Sequence, residues 1–283
     1  MSKIKIHVLH TGYVVTSPYL PYGGDCGIIK ASGFTTPKSK RIKMPVSVYL
    51  VEHPKGLLLI DTGWNRTMSP DGKYDRLAQI RSLGSPLLYM TNQGFVGYGE
   101  TVSEQLERMN IAPEDIDYVL LTHLDCDHAN GLSLVKDAKN ILVSNDELKF
   151  ACRRSPVIKT RYRKKWWEGT KIKGFDWNCS DGPFGKAFDL FSDGSVKMIN
   201  IPGHSDGLCA VKIQNTDQKF VLLFSDGGYG ARSWEEMIPS GISSDRKKQM
   251  KSLEWIREQS LDKNCKESLA NHDINIKPHI IEL

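Results

Sequence analysis

Between Tyr118 and His128 the chain passes from the apolar run Val119-Leu120-Leu121 into His123-Leu124-Asp125-Cys126-Asp127-His128, and no other stretch constrains the fold as strongly. The run 118–122 reads as a buried strand that delivers a polar turn. Imidazole and carboxylate at this density suit borderline-hard divalent cations. His123 and Asp125, separated by one residue, can face the same side, whereas the adjacent pair Asp127 and His128 must point elsewhere. One short loop thereby serves two neighbouring metals. A plain polar turn capping a helix explains a lone His-x-Asp, but poorly explains four potential ligands in six residues.

The arrangement returns once: the apolar run 220–224 leads into Ser225-Asp226-Gly227-Gly228-Tyr229. Nearer the N-terminus, 4–9, 46–52 and 57–61 read as strands, the last two joined by His53-Pro54-Lys55-Gly56. The third ends in Asp61-Thr62-Gly63. Residues 64–100 repeat Gly, Pro, Asn and Ser and read as loop-rich. Thr101 or Ser103 caps a helix running to about residue 110, Ser144 starts a short one, and 244–259 carries Met250, Leu253 and Ile256 at core spacing. Strands alternating with helices, with no dividing linker, predict a single α/β domain over residues 1–283.

With 40% hydrophobic and 25% charged residues the composition is that of an ordinary soluble globular chain. A net charge of +5 is too mild to point to nucleic acid. The segment Met1 to Leu9 is too short and polar for a secretory signal, and no apolar run reaches the roughly 18–20 residues of a membrane helix. The six cysteines form no CxxC pair. Together these features predict a cytoplasmic protein with reduced thiols and no membrane partner.

The segment 123–128 resembles the His-x-His-x-Asp-His signature of the metallo-β-lactamase superfamily. Its other elements follow in order: Pro202-Gly203-His204, then Asp226 after an apolar strand, then His272 in Ala270-Asn271-His272-Asp273, with Asp61-Thr62-Gly63 as the first motif. Within the superfamily the chain is most similar to the N-acyl homoserine lactonase branch, through Asp226-Gly227-Gly228-Tyr229, Met44-Pro45-Val46-Ser47-Val48-Tyr49-Leu50 and His272-Asp273-Ile274. The resemblance implies an αββα sandwich and two divalent metal ions. One would be held by His123, Asp125 and His204, the other by Asp127, His128 and His272, with Asp226 bridging. It further implies Asp61 as an orienter of the ligands, Tyr229 as an oxyanion donor and Asp127 as a proton carrier. The substrate would be a small lactone or related ester.

Asp125 departs from the pattern, standing where the family usually has a histidine. A carboxylate still ligates; it adds negative charge and a harder donor, so Mn²⁺, Fe²⁺ or Co²⁺ join Zn²⁺ as candidates. Other hydrolytic chemistry on the same site (thioester, phosphodiester or β-lactam), a redox di-iron protein and a nucleic-acid-binding module remain open as alternatives. The last rests only on the basic, aromatic-containing stretch 153–167, which reads either as a substrate lid or as a solvated face with its tryptophans turned inward. Cys126 is expected to be a small core residue, and His7, His10, His53 and His279 structural or surface groups.

Overall fold

The computed structural model describes residues 3–283; Met1 and Ser2, the start of the polar N-terminal segment, lie outside the described residues. Among the described residues thirteen strands form two sheets. In chain order they are β1 (Lys5–Thr16), β2 (Ile42–His53), β3 (Gly56–Ile60), β4 (Gln93–Phe95), β5 (Tyr118–Leu120), β6 (Ile141–Ser144), β7 (Ile172–Phe175), β8 (Ala187–Asp189), β9 (Val196–Asn200), β10 (Cys209–Gln214), β11 (Phe220–Leu223), β12 (Cys265–Leu269) and β13 (His279–Glu282). The first sheet runs β13-β1-β2-β3-β5-β6-β7 with β4 added to β1, and the second runs β12-β11-β10-β9-β8.

The apolar alternation of the strands explains their stacking. Ile6, Val8, Tyr49, Val51, Leu58, Ile60 and Leu120 of the first sheet meet Met198, Val211, Val221 and Leu223 of the second in one buried core. On the outer face of the first sheet, Leu50, Leu59, Val119 and Leu121 pack against Val102 and Leu106 of the helix Val102–Arg108. On the outer face of the second, Leu222 and Phe224 pack against Leu253 and Ile256 of the helix Arg246–Ser260. The order of layers is helix, sheet, sheet, helix, as the motifs implied.

Most expected elements lie where the sequence placed them, with longer strands at the start. β1 continues to Thr16 through a register irregularity between His10 and Tyr13, opposite Pro45, whose missing N–H suits an interrupted ladder. Thr101 is the cap of its helix, closing a capping box with Glu104. The helix at 246–260 begins after Asp245, whose side chain accepts from the Lys248 amide; Leu253 and Ile256 are buried, Met250 only half so.

The loop-rich reading of 64–100 is corrected. This region holds the helices Arg76–Leu83 and Pro86–Thr91 and strand β4. Its punctuating residues are caps. Asp75 accepts from Leu77 N and Ala78 N, Gly84 ends the first helix with φ 69°, and Ser85 caps the second with Pro86 in its first turn.

Among the described residues no helix is long and apolar enough to cross a membrane. All six cysteines are free thiols, and Cys126 is buried as expected.

Since the two sheets meet mainly through aliphatic side chains, Leu223→Ala should destabilise the fold by about 2–5 kcal/mol, read from denaturant unfolding. A loss well under 1 kcal/mol would mean that the core between the sheets is not where the packing places it.

Candidate metal centre

Five strands end at the same rim. The turns after β3, β5, β9, β11 and β12 carry Asp61, the 123–128 segment, His204, Asp226 and His272 respectively. All seven residues expected as ligands therefore converge, although the last is separated from the first by almost 150 positions.

Backbone strain marks two of these turns. Asp61 (φ 60°) and Ser225 (φ 49°) occupy the left-handed region without being glycine, a conformation that persists only where surrounding bonds enforce it. Here they do. The Asp61 carboxylate is wholly buried and accepts from Thr122 N (2.8 Å), Thr122 Oγ1 (2.8 Å), His128 Nδ1 (2.7 Å) and Asn271 Nδ2 (2.9 Å). Thr122 Oγ1 also meets Ser225 Oγ at 2.8 Å. Gly203, in the turn before His204, has φ 139°, and a Cβ there would lie 2.3 Å from Gln249 Cα, so only glycine fits.

The imidazoles are aimed by their outer nitrogens. His128 Nδ1 is fixed on Asp61, His272 Nδ1 on the Pro45 carbonyl (2.8 Å) and His123 Nδ1 beside Thr122 Oγ1 (3.1 Å). Their Nε2 atoms face inward. Asp226 lies between two groups. Its Oδ1 is 3.3 Å from both His128 Nε2 and His272 Nε2, while its Oδ2 is 3.6 Å from His204 Nε2 and 4.0 Å from His123 Nε2. Asp127 Oδ2 stands 3.4 Å from His272 Nε2. Donor atoms of His123, Asp125 and His204, and again those of Asp127, His128 and His272, fall within 4.8 Å of one another.

Those spacings test whether a cation fits. Ligand atoms about 2.1 Å from a tetrahedral ion stand about 3.4 Å apart, which matches the separations around Asp226 and exceeds a good hydrogen bond. His123 Nε2, His128 Nε2 and Asp226 Oδ1 are buried with no hydrogen-bond partner; buried polar atoms are rarely left so without a reason. The donor set fits divalent ions.

Carboxylates dominate the electrostatics of the site. Burial pulls the His128 imidazole down, but the Asp61 and Asp226 carboxylates outweigh it and hold its pKa well above the ordinary value. Burial likewise raises Asp226, and the His272 and His128 rings more than reverse that, holding it well below the carboxylate range. Burial, reinforced by Asp226, pushes the Tyr229 phenol far up. Its hydroxyl stays protonated, donates to Asp226 Oδ2 (3.1 Å) and its ring stacks on His272 at 5.5 Å.

Several site residues escaped the sequence. Arg161 grips Asp125 with a two-pronged pair, Nε to Oδ1 at 2.6 Å and Nη2 to Oδ2 at 2.7 Å. Buried Glu147 accepts from Leu124 N (3.1 Å) and Ser205 Oγ (2.6 Å), tying the first ligand loop to the turn carrying His204. Asn271, next to His272, serves Asp61. Of the stretch 153–167, Arg161 turns into the site while Trp166 packs inward with Nε1 donating to the Ser82 carbonyl (3.0 Å). Above the donors opens a cavity of about 470 Å³, walled by apolar side chains such as Leu20, Met44, Leu88 and Ile158 and floored by Asp127, Asp226, His204 and His272.

Comparison with known proteins gives a consistent result. The N-acyl homoserine lactonase AttM of Rhizobium radiobacter is 25% identical over 215 residues, 76% of this chain and 77% of that protein. An N-acyl homoserine lactonase of Bacillus cereus is 24% identical over 229 residues, 80% of this chain and 82% of its own length. Among solved structures, an N-acyl homoserine lactone hydrolase with the product N-hexanoyl-L-homoserine at its catalytic metal centre superposes with a TM-score of 0.73 at 20% identity, covering 97% of this chain and 95% of that one. The dizinc quorum-quenching lactonase AidC superposes with a TM-score of 0.64 at 16% identity, covering 96% and 90%. At such identities the structural matches speak to the fold. The family model described as the metallo-beta-lactamase superfamily matches residues 41–217, more than half of the 283 residues, and the chain belongs to that superfamily.

Proposed function

We propose that this chain is a dinuclear metal-dependent hydrolase that opens a lactone of the N-acyl homoserine lactone kind, or a closely related ester. One observation carries the reading: the two oxygens of Asp226 face different pairs of imidazoles, so a single carboxylate serves two adjacent sites. The names of the sequence relatives support the lactone, and the apolar walls of the cavity suit an acyl chain.

His123, Asp125 and His204 would hold one ion; Asp127, His128 and His272 would hold the other. Zinc is the first expectation, with manganese, iron or cobalt admitted by the oxygen-rich set. Two such ions supply a hydroxide at neutral pH and Lewis acidity toward a carbonyl. Tyr229, kept as a protonated phenol, offers an O–H at the cavity floor. It would turn from Asp226 to the carbonyl oxygen as negative charge develops there. Asp127 lies in the same floor, placed to return a proton to the departing alkoxide. Asp61 keeps Nε2 of His128 pointed inward by holding Nδ1.

Assaying the zinc- and manganese-loaded protein against N-acyl homoserine lactones, a thioester, a phosphodiester and a β-lactam tests the substrate class. Ring opening of the lactones, in preference to the other three, is the expected result; turnover of another class without lactone would assign the site a different hydrolysis. Tyr229→Phe should lower kcat by roughly ten- to a hundredfold, about 1.4–2.7 kcal/mol of barrier, with KM and metal content little changed. An unaltered kcat would remove the phenol from the chemistry. Asp61→Ala strips the acceptor from four buried donors and should cost about 3 kcal/mol or more of folding stability, measured by denaturant titration. A near-neutral result would show that Asp61 does not hold the turns together.

A further inference from the structure

Asp125 sits in a donor triplet but does not sit there alone. Arg161, the last residue of the helix Pro156–Arg161, spends every nitrogen on this half of the site. Nε and Nη2 take the two oxygens of Asp125, and Nη1 donates to the His204 carbonyl at 3.0 Å. His204 needs such an anchor. Its Nδ1 has no hydrogen-bond partner, whereas Nδ1 of His128 and His272 is fixed by Asp61 and Pro45. Among the described residues that line the cavity, Arg161 is also the sole Lys or Arg.

We propose that Arg161 and Asp125 act as one unit, a carboxylate with its own guanidinium, that takes the place of the neutral imidazole expected at position 125, and that Arg161 is the positioning residue for the whole first triplet. The charge arithmetic is direct: one negative carboxylate and one positive guanidinium sum to the charge of a neutral histidine. The paired fork leaves Oδ2 facing His204 Nε2 (2.9 Å) and His123 Nε2 (3.3 Å), so one oxygen is presented inward in a fixed direction. The extra negative charge that Asp125 would bring, one motive for a harder metal, is cancelled; only its oxygen-donor character remains.

The proposal rests on the dinuclear reading, and a double-mutant cycle separates the two. Zinc affinity, by competition with a chromophoric chelator, and melting temperature in excess chelator are measured for the wild type, Arg161→Gln, Asp125→His and the double variant, with Lys159→Gln as an exposed control on the same helix. Arg161→Gln should weaken one of two zinc ions by about ten- to a hundredfold, and the control should not. In the Asp125→His background the same change should reverse sign, raising both zinc affinity and melting temperature, because it removes a guanidinium left without its carboxylate. Equal effects of Arg161→Gln in both backgrounds, or unchanged zinc affinity on Asp125, would overturn the pair while the wild type still takes two ions. A wild type that takes fewer than two would overturn the dinuclear reading beneath it.

Discussion

The buried carboxylate of Asp61 is the constraint on which the site depends. A carboxylate removed from water costs several kcal/mol unless it is fully satisfied, and here satisfaction comes only from other turns: the amide and hydroxyl of Thr122, the ring of His128 and the amide of Asn271. Meeting that demand draws the ends of β3, β5 and β12 together. Thr122 then reaches Ser225 across the gap between the sheets, and the Thr122 carbonyl accepts from Cys209 N at 3.0 Å. The left-handed backbone at Asp61 and Ser225 is held by the same bonds.

From that frame the chemistry follows in layers. The strands set where the turns emerge, Asp61, Pro45 and Thr122 set where the imidazoles point, and Asp226 divides the inward space in two. Asp127, His128 and His272 lie beside the carboxylates of Asp61 and Asp226, whereas the half containing Asp125 carries Arg161, the sole Lys or Arg among the described residues lining the cavity. The two halves of the site are therefore balanced differently, one by hydrogen bonds to turns and one by a guanidinium from a helix outside the sandwich core. Glu147 reinforces the second from the neighbouring helix Asn145–Ala151.

The 123–128 segment and Asp226 were legible as candidate donors because each ends an apolar strand, whereas His204 and His272 were legible only through resemblance to the superfamily's motifs, His272 following the polar strand Cys265–Leu269; the αββα architecture came with the same motifs. What stayed hidden is what acts at a distance in sequence or under a misleading composition. Arg161 lies among six other basic residues between 153 and 165, and nothing local separates the one that turns inward. Glu147 reads as an ordinary first-turn helix acid, yet its carboxylate is wholly buried. The helices at 76–83 and 86–91 were masked because Gly84, Ser85 and Pro86 read as loop punctuation, when they are the end of one helix and the start of the next. Tyr229 was singled out by the resemblance of Asp226-Gly227-Gly228-Tyr229 to the lactonase branch, and its hydroxyl donates to Asp226 Oδ2.

The central claim is that Asp226 separates two cation sites built by this chain's own side chains. Anomalous diffraction from crystals of the zinc-loaded protein, recorded on both sides of the zinc absorption edge, tests it most directly. Two peaks about 3.5–4 Å apart are expected, one among His123, Asp125 and His204, the other among Asp127, His128 and His272, with an oxygen of Asp226 on each. A single peak, or two peaks that do not share Asp226, would contradict it.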